Sequence, residues 1–363
     1  MIDLDQPSRF SAVDHENMLS HIDRWADQCK RAWDRVQDFA QSLTVPPFRG
    51  VLVLGMGGSA IGGDLLAALA ARSSPVPIQV NRDYTLPDWV GDSTLVIGSS
   101  YSGSTEETLA AFKAARRRGC RLLALSSGGE LADLARQYGA PWLHIPYKSQ
   151  PRAALGYSLI FLIGLGQRMG LLPDQSEALE EAIEVLNAQR EEIGAQVPVA
   201  ENQAKQLALE LRDHLPVIYG AGILAPVARR WKTQINENAK SWALWEEMPE
   251  FDHNTVASFG LPKPLLKQIY TIALTAPSMH PRHRLRFEIS AELIAREGIA
   301  QKEIEAQGGA PLAQMVSAIQ FGDYVSYYLA MLYEVDPTEI PNIQYLKRRL
   351  GDQPLRDQTA SLR

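Results

Sequence analysis

Apolar residues in the first 45 positions recur at helical spacing: Met18, Ile22, Trp25, Trp33 and Val36 share one face, and nothing there alternates as a strand would. From Phe48 the pattern changes. Val51–Leu54 is a short apolar run ending in glycines, followed by an Ala/Leu-rich helical stretch from Ala60 to Arg72. Related units follow: Ile78–Val80, then Thr94–Ile97 with a helical stretch Glu106–Arg118, then Arg121–Leu125 with Leu131–Tyr138. Short apolar strands alternating with helices predict a parallel sheet covered on both faces.

Residues 151–212 read as helical, including the charged stretch Ser176–Arg190. The most apolar window, Leu155–Leu172, is broken by Gly156, Gly164, Gly166, Gln167 and Arg168, which suits a buried helix and not a membrane span. Pro216–Tyr219 then leads into Gly220-Ala-Gly222 and a helix expected from Pro226 to Trp245, repeating the first strand–helix unit. Further strands are expected at Gln268–Leu274 and Gln301–Glu305 around a helix His283–Arg296, before a last helix Leu312–Tyr333. The expected class is α/β: two related lobes, each a mainly parallel sheet flanked by helices in three layers. The expected division is a helical extension (1–45), a first lobe (46–150), bridging helices (151–205), a second lobe (206–320) and a C-terminal helical segment (321–363).

Composition narrows the function. With 363 residues, 45% of them hydrophobic, the chain can bury a large core and is long for one ordinary domain. Its 36 Lys+Arg against 42 Asp+Glu leave a net charge of -6 and no basic block, which argues against a nucleic-acid surface. The two cysteines, Cys29 and Cys120, exclude a disulfide scaffold and an all-cysteine zinc site and fit a reducing compartment. Acids occupy Met1–Asp5, where a signal peptide needs a basic and then an apolar run, so a cytoplasmic protein without a membrane partner is expected.

The segment Gly55-Met-Gly-Gly-Ser-Ala-Ile-Gly-Gly-Asp64 follows a strand and opens a helix. Glycines let a ligand approach the backbone, and the helix N-terminus offers free N–H groups and partial positive charge to an anion. Gly55-x-Gly57-x-x-Ala60 also satisfies the dinucleotide fingerprint, with Asp83 placed as a ribose-binding acid. A nicotinamide-dependent dehydrogenase is therefore a rival reading. A Walker A loop is not, because no Lys-Ser/Thr pair follows. The second segment, Ser99-Ser-Tyr-Ser-Gly-Ser-Thr105, sets several hydroxyls beside another helix start, which suits a phosphate with several acceptor oxygens. Ser104-x-x-Glu107 alone reads as a capping box, but capping uses one hydroxyl and this loop presents more.

These two segments, with Pro151-Arg-Ala-Ala-Leu-Gly-Tyr157, Asn236-Glu-Asn-Ala-Lys240 and Pro249-Glu-Phe-Asp-His-Asn254, resemble in order the bifunctional phosphoglucose/phosphomannose isomerase family, built from paired sugar-isomerase (SIS) domains. The likeness runs from about residue 48 to Lys347. It implies reversible aldose–ketose isomerisation of hexose 6-phosphates, glucose 6-phosphate to fructose 6-phosphate and also mannose 6-phosphate. It further implies no metal or organic cofactor, and a homodimer with active sites between lobes and near the subunit interface. Carried over by position, it implies a phosphate loop of Ser100, Ser102 and Thr105, with Ser59 and the Gly57–Gly58 backbone alongside. Glu237 matches the family's catalytic glutamate, His253 its ring-opening histidine, Arg152 its active-site arginine and Lys347 its C-terminal lysine. Ser104 stands where many members carry Asn, and Thr255 where an acid is common. An SIS-type sugar-phosphate-binding or regulatory protein would keep the phosphate loop without turnover; the presence of both Glu237 and His253 speaks against it.

The chemistry fits these residue types. Moving a proton between neighbouring carbons through an enediol needs one carboxylate base. Glu237 is expected mid-helix, with Thr233 and Lys240 on its face. Opening a cyclic hexose phosphate needs a group that exchanges protons near neutral pH, and His253, in a polar segment after Pro249, suits it. Arg152 would stabilise the enediolate oxygen. Lys347, in Tyr345-Leu-Lys-Arg-Arg349, also reads as one member of a solvated basic helix face. His280 and His283 are the strongest competing histidines, but Pro281 interrupts their spacing and no third metal ligand accompanies them.

Overall fold

The computed structural model describes residues 2–352, so the last part of the expected C-terminal segment, 353–363, lies outside the described residues. Helices α1 (Met18–Asp23) and α2 (Trp25–Ser42) lead in. The first sheet region comprises β1 (Gly50–Leu54), α3 (Gly57–Ala70), β2 (Ile78–Asn81), β3 (Thr94–Ser99), α4 (Glu106–Arg117), β4 (Arg121–Ser126), α5 (Gly129–Tyr138) and β5 (Trp142–His144). Helices α6 (Leu155–Arg168), α7 (Ser176–Ile193) and α8 (Gln203–Leu211) connect it to the second. That region holds β6 (Leu215–Ala221), α9 (Ala225–Asn238), β7 (Leu244–Met248), α10 (Lys263–Leu266), β8 (Ile269–Thr275), α11 (Pro281–Arg296) and β9 (Ala300–Glu305), followed by α12 (Pro311–Tyr333) and α13 (Pro341–Gly351).

Both sheets are parallel throughout, in the orders β2-β1-β3-β4-β5 and β7-β6-β8-β9. The central strands β1 and β3 are buried along their whole length, as expected of strands covered on both faces by helices. Helices α6 and α12 are apolar or small over most of their lengths and are buried nearly end to end. One apolar core runs from the N-terminal segment through both sheets to α12. Among the described residues no helix is long and apolar enough to cross a membrane.

The pattern misled in three places. The helix expected to reach Trp245 stops at Asn238, and Leu244–Met248 forms strand β7. That strand lies at a sheet edge, half exposed and carrying Glu246 and Glu247, and charged edge strands do not read as continuous apolar runs. Strand β5, only 3 residues long, gave no signal of its own. Two segment boundaries read from the sequence, 205/206 and 320/321, fall inside α8 and α12, which run through without a break.

Candidate active site

In the first sheet β1 lies between β2 and β3, so chain direction across the sheet switches between β1 and β3, where open parallel sheets bind ligands at their carboxyl ends. Leu54 pairs with Gly98, which brings the loops after the two strands side by side. They are stitched together: Tyr101 N–H donates to Ser59 Oγ over 3.0 Å, and the Ser99 hydroxyl donates to Ser59 O over 3.1 Å. The Ser100 and Thr105 hydroxyls share a hydrogen bond of 2.9 Å. Gly103 closes the loop with φ 69° and packs so tightly that a Cβ would stand 1.8 Å from Gly128 O. Only glycine fits there.

The capping box expected at Ser104 and Glu107 does not form. Thr105 is the N-cap of α4 and its side chain makes no capping bond, because its hydroxyl is turned to Ser100. Helix α3, starting at Gly57, has no side-chain cap either. Two helix N-termini therefore present unpaired N–H groups beside Ser59, Ser100, Ser102 and Thr105, a setting made for an anion. Glu106 and Glu107, in the first turn of α4, act on Tyr84: desolvation first, and then these carboxylates, push its phenol pKa up.

Arg152 lies just beneath the glycine loop. It sits in a short 3₁₀ turn, Pro151–Ala154, against which α3 packs so closely that a Cβ on Gly58 would come within 3.1 Å of Pro151 O. At 2% exposure it is no surface residue at a helix start. Its Nε–H donates to Asn238 Oδ1 over 2.8 Å, Nη1 to Glu237 Oε2 over 3.3 Å, and Nη2 to Thr338 O over 2.9 Å and to Pro337 O. A guanidinium carries five N–H donors, so one Nη1 proton is left over. Burial lowers its pKa and Glu237 opposes the shift, but guanidinium keeps its proton in proteins. Arg230 fastens the turn from below, donating to Arg152 O over 2.8 Å while paired with buried Asp323 at 3.1 Å.

Glu237 is the penultimate residue of α9 and not a mid-helix residue. The partners expected on its face are engaged elsewhere: the Thr233 hydroxyl donates to Arg230 O over 2.8 Å, and Lys240 lies past the helix end with its amine on backbone carbonyls. The carboxylate is 23% exposed, and Oε1 has no hydrogen-bond partner among the described residues. Asn238, beside it, is fully buried and bridges Arg152 to the Ser326 hydroxyl over 3.0 Å.

The structure does not bring His253 or Lys347 into this cluster. His253 ends the turn Glu250–His253, its exposed side chain makes no hydrogen bond or ion pair among the described residues, and it is held outward by its neighbours: Phe251 stacks on Tyr219 at 4.9 Å and Asp252 pairs with Arg286 at 2.7 Å. Lys347 sits on α13, which has no buried residue. Thr255 donates to Glu246 over 3.3 Å, and Ser104 N–H donates to Ser102 Oγ over 3.3 Å. Asp83 spends one carboxylate oxygen on the N–H groups of Tyr84 and Thr85, so its placement is explained by its own turn and not by a ribose. His280 caps α11 through Arg282 N–H at 3.1 Å, and among the described residues no group of three His, Cys, Asp or Glu could hold a metal. Sequence reasoning missed Asn238, Asp336, Pro337 and Thr338; the asparagines flanking Glu237, poor helix formers, were the one visible hint.

Residues 200–350 match the bacterial phospho-glucose isomerase C-terminal SIS domain. A bifunctional phosphoglucose/phosphomannose isomerase from Caldicellulosiruptor bescii is 39% identical over 336 residues, 92% of this chain and 99% of that protein. The chain belongs to this family. Another member, from Aquifex aeolicus, is 34% identical over 86% of this chain and 93% of its own. Its fold is shared more widely: a hypothetical protein from Thermus thermophilus superposes with a TM-score of 0.73 at 17% identity, covering 96% of this chain and 93% of that one. The Ser100–Thr105 loop, Arg152 and Glu237 thus lie together in a bifunctional phosphoglucose/phosphomannose isomerase family member, within an SIS-type fold.

Proposed function

We propose that this protein interconverts aldose and ketose hexose 6-phosphates, turning glucose 6-phosphate into fructose 6-phosphate and accepting mannose 6-phosphate, through an enediol. The observation that carries the reading is the buried Arg152 beside Glu237, directly under the glycine loop that borders an anion cradle. In this reading the 6-phosphate rests on the Ser59, Ser100, Ser102 and Thr105 hydroxyls and on the first N–H groups of α3 and α4. Glu237 Oε1 removes the proton at C2 and returns it at C1, while the spare Nη1 proton of Arg152 meets the negative charge growing on the carbonyl oxygen. Both aldoses converge on one enediol, since C2 loses its stereochemistry there. The proton lost from the C2 hydroxyl ends on the C1 oxygen, so that aldose and ketose remain isomers.

His253 opens the sugar ring. Because it projects outward, we assign it to the site of a second copy in a homodimer. Exposed apolar residues support such an assembly: Trp242 at 80%, Leu261 at 70%, and Tyr345 and Leu346 on α13 at 55% and 57%. Lys347 would meet substrate when α13 packs on that copy. A cytoplasmic role in glycolysis and gluconeogenesis accords with the chemistry, and the five-segment division given above, with α8 and α12 kept whole, completes the proposal. Product analysis by NMR after incubation with glucose 6-phosphate and with mannose 6-phosphate tests it. Fructose 6-phosphate from either supports the reading, and its absence from both, with phosphate-dependent binding retained, would favour a sugar-phosphate sensor.

A further inference from the structure

Just after α9 the chain turns at Lys240, which holds a left-handed φ of 54°. A residue with a Cβ adopts that conformation at a cost and keeps it only where its surroundings enforce it. The enforcement here is visible. The Lys240 amine has three donors. Three carbonyls face them: Glu237 O at 2.8 Å, Asn238 O at 3.3 Å, and Asp336 O. The first two belong to the last turn of α9, whose carbonyls would otherwise lack partners.

The third carbonyl begins a run shared with Arg152. Asp336, Pro337 and Thr338 present successive carbonyls, of which Lys240 holds the first and Arg152 the next two. The run is itself fixed by the Asp336 carboxylate, which accepts Thr338 N–H over 2.7 Å and pairs with His15 Nδ1 at 2.8 Å. Lys240 thus ties the end of α9, which carries Glu237, to the segment that seats Arg152. With its three donors so engaged, it has none to spare for substrate.

We propose that Lys240 is a positioning residue that sets the distance and angle between Glu237 and Arg152 by clamping the C-terminal end of α9 to residues 336–338. The proposal rests on Glu237 being the enediol base. A separate consequence gives it a signature. Burial pushes the amine down to about 8, Arg152 pushes the same way, and Asp336, Glu237 and Glu339 oppose. Those four are the charged groups acting on it, from the turn 151–154, the end of α9 and the segment before α13. Below that pH the amine donates to three carbonyls; above it only two donors remain and one carbonyl is released.

The test uses the full-length protein as wild type, Lys240→Met and Lys240→Arg, with kcat and KM measured from neutral to about pH 9.5 in an assay of fructose 6-phosphate formation. Lys240→Met is expected to lower kcat roughly 10-fold or more while KM changes less than about 2-fold, because the phosphate cradle is untouched. Lys240→Arg is expected to restore most of kcat near neutrality and to move upward the alkaline limb of kcat that the wild type is expected to show near pH 8. Wild-type kcat in Lys240→Met, a parallel rise in KM, or an unmoved alkaline limb in Lys240→Arg would overturn the proposal. Should Lys240→Met fail to fold, the limb of Lys240→Arg still decides. Glu237→Gln in the same assay separates this outcome from failure of the parent reading, since near-normal turnover there would remove the base itself.

Discussion

Arg152 Nη1 stands 3.3 Å from Glu237 Oε2, a contact between residues 85 positions apart that joins the first sheet region to the second. A residue wedged under the glycine loop is thereby coupled to the end of α9, the helix that follows β6 of the second sheet. In the proposed reaction this contact would hold substrate at the loop and proton transfer at the carboxylate in one frame.

Replacing Arg152 by Ala would strand a carboxylate, a buried amide oxygen and two carbonyls, at a cost of about 3–5 kcal/mol. A large drop in melting temperature by circular dichroism is expected, together with loss of activity. Arg152→Lys keeps the charge without the planar fork. It should fold, and kcat should fall by roughly 100-fold. A Lys variant with near-normal kcat would contradict the role given to the spare Nη1 proton.

The hydroxyl cradle should report on binding and not on chemistry. Ser100→Ala and Thr105→Val each remove one member of the 2.9 Å hydroxyl pair. At about 1 kcal/mol per hydrogen bond, KM should rise roughly 5- to 10-fold with kcat little changed. Steady-state kinetics with glucose 6-phosphate check this, and an unchanged KM in both variants would move the phosphate elsewhere.

His253→Ala should slow the cyclic sugar phosphate much more than an open-chain analogue. Equal losses would remove its ring-opening role. Its outward position adds a second expectation: mixing Glu237→Gln and His253→Ala chains under conditions of subunit exchange should restore activity, because one site in each mixed dimer keeps both groups. No recovery in demonstrably mixed dimers would place His253 in its own chain's site.

Much of the fold was legible because buried parallel strands leave short apolar runs such as Val51–Leu54, and buried helices leave long, mostly apolar or small stretches such as Leu312–Tyr333. Strand β7 was not, because an edge strand keeps charged side chains such as Glu246 and Glu247. In the site, the glycine and serine loops were readable since turn chemistry is local. The end of α9 was misplaced because no proline or glycine marks it: Lys240 ends the helix by a tertiary clamp on Asp336 O, 96 positions away. For the same reason Asn238 and residues 336–338 stayed hidden. Their function lies in backbone carbonyls and buried amides whose partners are set by packing.

The most direct test of the account is the formation of fructose 6-phosphate from glucose 6-phosphate and from mannose 6-phosphate by the wild-type protein and by Glu237→Gln. Removing a general base costs on the order of 100- to 10,000-fold in rate. The account predicts product from both sugars with the wild type and a loss of that size in the variant, with an unchanged melting temperature. No product from either sugar, or near-normal turnover in Glu237→Gln, would contradict it.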